Sequence, residues 1–228
     1  GVAILKAVFD QFNIDEMHVS DYALKEGLLY DTIGRLSDQD SRTRTVKNLQ
    51  AQHKVDTDQA RRIADTANAM WKQIEGPVLP GVSRTKILRW ASQLHEIGLS
   101  ISHSGYHHHG YYLLRYGDIA GFGRYEQYIL ANLVRAHRKG LYTEKFGDMD
   151  EKAIAAFIPL LVCLRLAFVL HRRREDLEQK ELPTLTVADN TFTLKFKRGW
   201  LNKHPLTEAS LKSERDEYDR IGVALEFS

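Results

Sequence analysis

The chain has 228 residues, 43% of them hydrophobic and 27% charged, enough for one or two domains with a sizeable core. A formal net charge of +2 excludes any argument from global electrostatics, and a single cysteine, Cys163, excludes an internal disulfide framework. The expectation is a reducing, cytoplasmic compartment, with peripheral attachment to a membrane left open.

Residues 1–12 carry Val2, Leu5, Val8, Phe9 and Phe12 at helical spacing. This pattern starts abruptly, with no basic-then-apolar leader, as expected of a cut inside a longer protein. Residues 16–20 read as a short strand, Ser20-Asp21 as a helix cap and residues 23–33 as a helix. Helix, strand, helix is the tail of an α/β unit, because the strand needs a sheet to bury it. Residues 34–40 are a polar joint.

Beyond the joint the chain reads as almost entirely helical. Helices are expected at 41–53, 58–75, 84–97, 109–116 and 125–136, with Asp56 or Thr57 capping the second. Residues 76–81, with two prolines, form a loop, and residues 100–108 are irregular. A long apolar helix is expected at 150–174, in two pieces around Pro159. Broken by Pro159 and Arg165, its run at 153–170 reads as too short and interrupted to span a bilayer. After Pro183 the pattern alternates. A hairpin turns at Asp189-Asn190, residues 200–206 form a loop, residues 208–220 a helix and residues 223–227 a last strand. This lobe of about 45 residues is too small to stand alone and should pack on the helices.

Chemistry concentrates in LRWASQLHEIGLSISHSGYHHHGYYLL, which holds His95, His103, His107, His108 and His109, half of the chain's ten histidines. Gly98 is expected to let the backbone turn away after His95-Glu96. A histidine beside a carboxylate at a helix end, with more histidines nearby, suits a metal or a phosphate. Adjacent residues point about 100° apart on a helix, so His95 and Glu96 need ligands from other helices, with His137 a distant candidate. The bland alternative is a hydrogen-bonded histidine buried in a bundle. Tyr106, Tyr111 and Tyr112 lie in an apolar helical context and read as core. No recognised nucleic-acid motif appears, so no specific nucleic-acid partner is expected.

Residues 1–31, GVAILKAVFDQFNIDEMHVSDYALKEGLLYD, resemble the end of the actin-like region of the exopolyphosphatase/guanosine pentaphosphate phosphohydrolase family. SRTRTVKNL, DTDQARRIADTANAMW, the histidine-rich stretch and LVRAHRKG resemble that family's helical C-terminal region, and TLTVADNTFTLKF its small terminal domain. HSGYHHH and RAHRKG lean toward the exopolyphosphatase branch. The implied architecture is mainly α: an actin-like α/β remnant at 1–36, an HD-like helical domain at 37–180 and a small α+β lobe at 181–228.

HD-type hydrolases, which the helical region is similar to, hold divalent metals with a His, a His-Asp pair, further histidines and a late Asp. Position by position, His95 matches the pair's histidine and Glu96 replaces its aspartate. His109 and His137 fall where relatives carry extra ligands. Gln59 stands at the first histidine and Phe168 at the late aspartate. A metal, if any, would sit among His95, Glu96, His109 and His137, but with two anchors replaced by poor ligands the site reads as a relic. The expected use is anion binding by His95, His103, His107, His109, Arg135, His137, Arg138, Lys139, Arg165, Arg172 and Arg173, with no catalytic residue and no cofactor in this stretch. The resemblance implies a homodimer, long-chain polyphosphate as ligand, guanosine tetra- and pentaphosphate as alternatives, and Mg²⁺ with a catalytic carboxylate in a part of the parent enzyme that precedes this one. The rival expectation is a metal-dependent HD-type phosphohydrolase.

Overall fold

The computed structural model describes residues 2–16, 41–74 and 76–228. It divides into two units, Gly1–Asp40 and Ser41–Ser228. In the first, α1 spans Val2–Phe12 as its apolar spacing predicts, with Val2, Ile4 and Phe12 exposed. The expected strand at 16–20 and helix at 23–33 lie, Glu16 apart, outside the described residues.

The second unit is mainly α with a small α+β lobe. Its bundle comprises α2 (Ser41–Gln52), α3 (Thr57–Trp71), α4 (Arg84–Leu94), α5 (Tyr106–Tyr116), α6 (Arg124–Ala136) and α7 (Glu151–Leu170). The Asp56 carboxylate caps α3 by accepting the Gln59 N–H at 2.9 Å, and α3 lays Ala60, Ile63, Ala67 and Trp71 onto α4 and α7. Asp150 caps α7 in the same way, accepting from Ala153 N–H at 2.8 Å.

Two expectations about these helices need correction. First, α7 is one helix with Pro159 inside it. An interior proline costs about 3 kcal/mol. Burying Leu160, Leu161, Leu164 and Leu166 returns about 1.5–3 kcal/mol each, so packing outweighs the local break. By length and composition α7 is also long and apolar enough to cross a membrane, but 78% of its most apolar window is buried in the protein. Second, α5 begins at Tyr106, on Gly105 with φ +66°, three residues before the expected start. Gly98 has no positive φ; its role is clearance. A Cβ there would meet the Tyr106 carbonyl and the Gly110 amide, so the 3₁₀ turn Ile97–Ser100 rests directly on the start of α5.

The lobe is built on β1 (Thr184–Ala188), β2 (Thr191–Lys195) and β3 (Ala224–Phe227), in the order β1-β2-β3. β1 and β2 form an antiparallel hairpin in which Ala188 faces Thr191. Asp189 and Asn190 take φ of +45° and +63°, the left-handed pair that a two-residue hairpin turn needs. β2 and β3 are parallel, so the chain crosses over through α8 (Trp200–Lys203) and α9 (Pro205–Asp219). Residues 200–206, expected as a loop, are thus mostly helical, with Pro205 at the first turn of α9 where its missing N–H costs nothing. α9 packs on β3 and on α7. Leu185, Phe192, Leu211, Tyr218 and Leu225 belong to the same core as the bundle, so packing does not break near residue 180.

Candidate functional site

Two histidines cap two helices in the same way. His95 ends α4 and its Nδ1 donates to the Ser92 carbonyl at 2.8 Å. His137 ends α6 and its Nδ1 donates to the Val134 carbonyl at 2.6 Å. A carbonyl only accepts, so each neutral ring carries its proton on Nδ1 and leaves Nε2 bare. The two rings meet edge to face with centroids 5.4 Å apart. Both side chains are fully buried, and burial pushes both pKa values down, His137 well below the ordinary range. The neighbouring Glu96 offsets part of the shift at His95, and the nearness of His95 adds to that at His137.

The walls of this box explain why it stays neutral. Phe168 lies against both imidazoles, with centroids 6.0 Å from His95 and 5.2 Å from His137. The Tyr106 hydroxyl stands 3.5 Å from His137 Nε2, and burial raises its pKa. His95 Nε2 has no hydrogen-bond partner and lies 3.8 Å from Glu96 Oε1. That carboxylate is engaged by Arg174, at 2.5 Å, and Arg174 also binds Asp56 at 2.8 Å. Arg174 takes φ +57°.

This donor set does not fit a divalent ion. It offers two bare imidazoles, a phenol and a carboxylate already paired with a guanidinium, around a phenyl ring, with the buried His107 ring at its edge, its centroid 6.4 Å from that of His137. Mg²⁺ takes oxygen ligands in an octahedron, and a softer ion needs a third or fourth ligand that Phe168 cannot supply. Gln59 points elsewhere. Its amide donates to the His171 carbonyl at 2.7 Å and ties α3 to the end of α7. Among the described residues no group of three or more His, Cys, Asp or Glu is placed to hold a metal.

The other named residues fall in three places. Arg165 is fully buried within α7. Its guanidinium donates to the Ala136 and Lys139 carbonyls at 2.6 and 2.9 Å, closing the open end of α6, and makes a forked pair with Glu214 of α9 at 2.7 and 3.0 Å. Arg138, Lys139, Arg172 and Arg173 line a groove between the ends of α6 and α7 and the flank of α9. It comprises two adjoining cavities of about 410 and 210 Å³ that share Val169, Arg172, Ser210 and Ser213. Phe168 and Arg138 form the partition between groove and histidine box, with the Arg138 guanidinium 4.5 Å over the Tyr106 ring. His103 is exposed, His107 is buried at the start of α5, His109 is half-buried beside Gly98, and Arg135, on α6, lies 4.9 Å over the Tyr111 ring of α5.

The family model described as "Ppx/GppA phosphatase, domain III" matches residues 41–215, and that described as "Ppx/GppA phosphatase family" matches residues 1–36. The chain belongs to the Ppx/GppA phosphatase family. It is similar to three proteins named guanosine-5'-triphosphate,3'-diphosphate pyrophosphatase. Identity is 32% with that of Pseudoalteromonas atlantica, over 97% of this chain and 44% of the relative. It is 31% with that of Pseudoalteromonas translucida and 32% with that of Vibrio campbellii, each over 99% of this chain and 45% of the relative. The chain therefore spans rather less than half the length of these Ppx/GppA relatives.

Tyr106, Arg174 and Asp56 bear on the box, yet sequence reasoning does not single them out for it. In the sequence Tyr106 reads only as core, and Asp56 only as a helix cap, which it also is. Arg174 has no local signal, because its partners lie 78 and 118 positions away.

Proposed function

We propose that this region holds substrate for a phosphohydrolase of the Ppx/GppA family, and that the groove along α7 and α9 receives long-chain polyphosphate. The observation that carries this reading is a groove whose exposed cations have only weak partners while its acids are firmly engaged. Lys139, Arg172 and Arg173 are exposed, and Arg138 is half-buried. Arg172 donates to Ser210 Oγ at 3.0 Å, and Arg173 pairs with Glu175 at 3.1 Å. Exposed contacts of this kind are worth about 0–1 kcal/mol and yield readily to a phosphate oxygen. Opposite them, Glu214 is held by Arg165, and Glu217 accepts from Leu141 N–H at 2.8 Å and from Arg220 at 3.2 Å.

Arg165, His95 and His137 serve this groove indirectly, since all three are buried. The groove's polar lining is cations, Thr207, two serines and two engaged glutamates, beside the apolar Phe168, Val169, Leu206 and Ala209, so it does not supply the carboxylate chemistry and Mg²⁺ that hydrolysis in this family implies. Those belong to another part of the parent enzyme, which works as a homodimer in this reading. The test is titration of the chain with long-chain polyphosphate. Binding weakens steeply with salt, and Lys139→Ala/Arg172→Ala/Arg173→Ala lowers affinity at least about tenfold and flattens the salt slope. No phosphate is released. A triple variant that binds as tightly as the parent protein removes the groove from the reading.

The relatives' names favour a second reading, in which the same cations hold the phosphates of guanosine pentaphosphate. Competition at matched salt separates the two. Polyphosphate gains affinity with chain length, whereas a nucleotide wins only if its base adds contacts.

A further inference from the structure

Helices α5 and α6 carry a surface that the groove does not explain. Their exposed large apolar side chains are all tyrosines: Tyr112 at 63%, Tyr116 at 66% and Tyr125 at 42%. The sequence context places Tyr112 in the core. The observed helix buries Gly110 and Leu114 instead, and Tyr112 lies midway between them on the opposite face. Tyr112 and Tyr116 are four residues apart, so their rings share that face, with centroids 5.3 Å apart and planes tilted by 48°.

Cations are fixed among these rings. The Arg115 guanidinium lies 5.6 Å over Tyr116 and 5.3 Å over Tyr128. Arg135 lies 4.9 Å over Tyr111, whose ring is 6.3 Å from Tyr116. Of the acids on these helices and the turn between them, Glu126 is buried against Arg42 at 2.7 Å and Asp118 is exposed. The surface is therefore a stepped set of π-faces interleaved with guanidinium groups. No exposed large aliphatic side chain, such as a greasy protein contact or a lipid surface would use, occurs among the described residues of α5 or α6.

We propose that this α5–α6 face binds single-stranded nucleic acid without sequence preference. Bases stack on Tyr112 and Tyr116, and Arg115 and Arg135 meet the backbone phosphates. Every base has a π-face, so such a platform tolerates any sequence, and the cations make it salt-sensitive. The occupant is thereby distinguished from a bare phosphate chain, which has nothing to stack.

The test is fluorescence anisotropy of a labelled 20-nucleotide oligouridine with the whole chain at several salt concentrations. Tyr112→Ser/Tyr116→Ser changes two exposed side chains, and an unaltered melting temperature confirms that the fold is kept. Affinity for the RNA falls about tenfold or more at every salt concentration with an unchanged salt slope, while affinity for inorganic polyphosphate does not move. Arg115→Ala lowers the slope instead. The proposal is overturned if the parent protein does not bind the oligonucleotide, or if the double tyrosine variant binds it as the parent does. It is also overturned if the variant loses self-association in sedimentation while RNA binding persists, which makes the face a contact between two copies.

Discussion

The histidine box and the cationic groove share a wall, Phe168 and Arg138, yet the same kinds of residue behave in opposite ways on its two sides. Inside, His95 and His137 are sealed, neutral and fixed by backbone carbonyls, and the one carboxylate beside them is neutralised by Arg174. Outside, Lys139, Arg172 and Arg173 are exposed to water, and Arg172 and Arg173 make only weak contacts, with Ser210 and Glu175. Burial, not residue type, decides which of these groups can meet an anion. Arg165 is the limiting case: it is an arginine among the groove residues whose donors serve the protein's own carbonyls and Glu214.

The largest expected effect tests that limiting case. Arg165→Met leaves Glu214 without its cation and two carbonyls at the end of α6 without a donor. Removing one partner of a buried pair costs about 3–5 kcal/mol, so the urea midpoint should fall sharply. Adding Glu214→Gln should recover a good part of the loss, because the uncompensated charge is gone. If Arg165→Met is near neutral in stability but abolishes polyphosphate binding, Arg165 is a ligand and the contrast between box and groove is wrongly drawn.

Much of this arrangement was legible in the sequence, and the boundary of legibility is physical. Asp56 as one of two cap candidates, Asp189-Asn190 as a hairpin turn and the helical periodicity of α3 are local patterns, and local patterns survive folding. The continuity of α7 through Pro159 was not legible, because core packing on both sides overrides a local penalty. The clasp of Arg174 on Glu96 and Asp56, and the capping of α6 by Arg165 from α7, depend on contacts between distant parts of the chain. Gln59 and Phe168 read as poor ligands from chemistry alone. What they do instead, a tie to the His171 carbonyl and a wall against two imidazoles, required the fold.

Next in size is the response of the box to acid. His95 and His137 have pKa values lowered by burial, and so has His171, whose Nδ1 donates to the Glu175 carbonyl while Nε2 accepts from Thr66. A histidine with a depressed folded-state pKa binds its proton more readily in the unfolded chain. Stability is therefore full above the ordinary value of 6.5 and declines as pH falls below it, until the folded-state pKa is reached. Each such group adds a limiting slope of about 1.4 kcal/mol per pH unit. Asp56, held low mainly by the Gln59 N–H and then by Arg174, contributes further loss only as pH falls through its own range below 3.8. Urea unfolding between pH 7.5 and 5 measures the first decline. NMR titration of the imidazoles assigns it, and a flat profile over that window would mean that the box admits water.

The smallest expected effect is the mirror image of the first. Arg172→Ala/Arg173→Ala removes two charges whose contacts, with Ser210 and Glu175, lie at the surface, so stability should change by no more than about 0.5 kcal/mol. Loss of like-charge repulsion at the end of α7, next to Arg174, can even make the change slightly favourable. Thermal melting at low and high salt measures the charge-dependent part, because both the Arg173–Glu175 attraction and the repulsion near Arg174 are screened. A loss comparable to that of Arg165→Met would place these arginines in the structural network and leave the groove without cations to offer a phosphate chain.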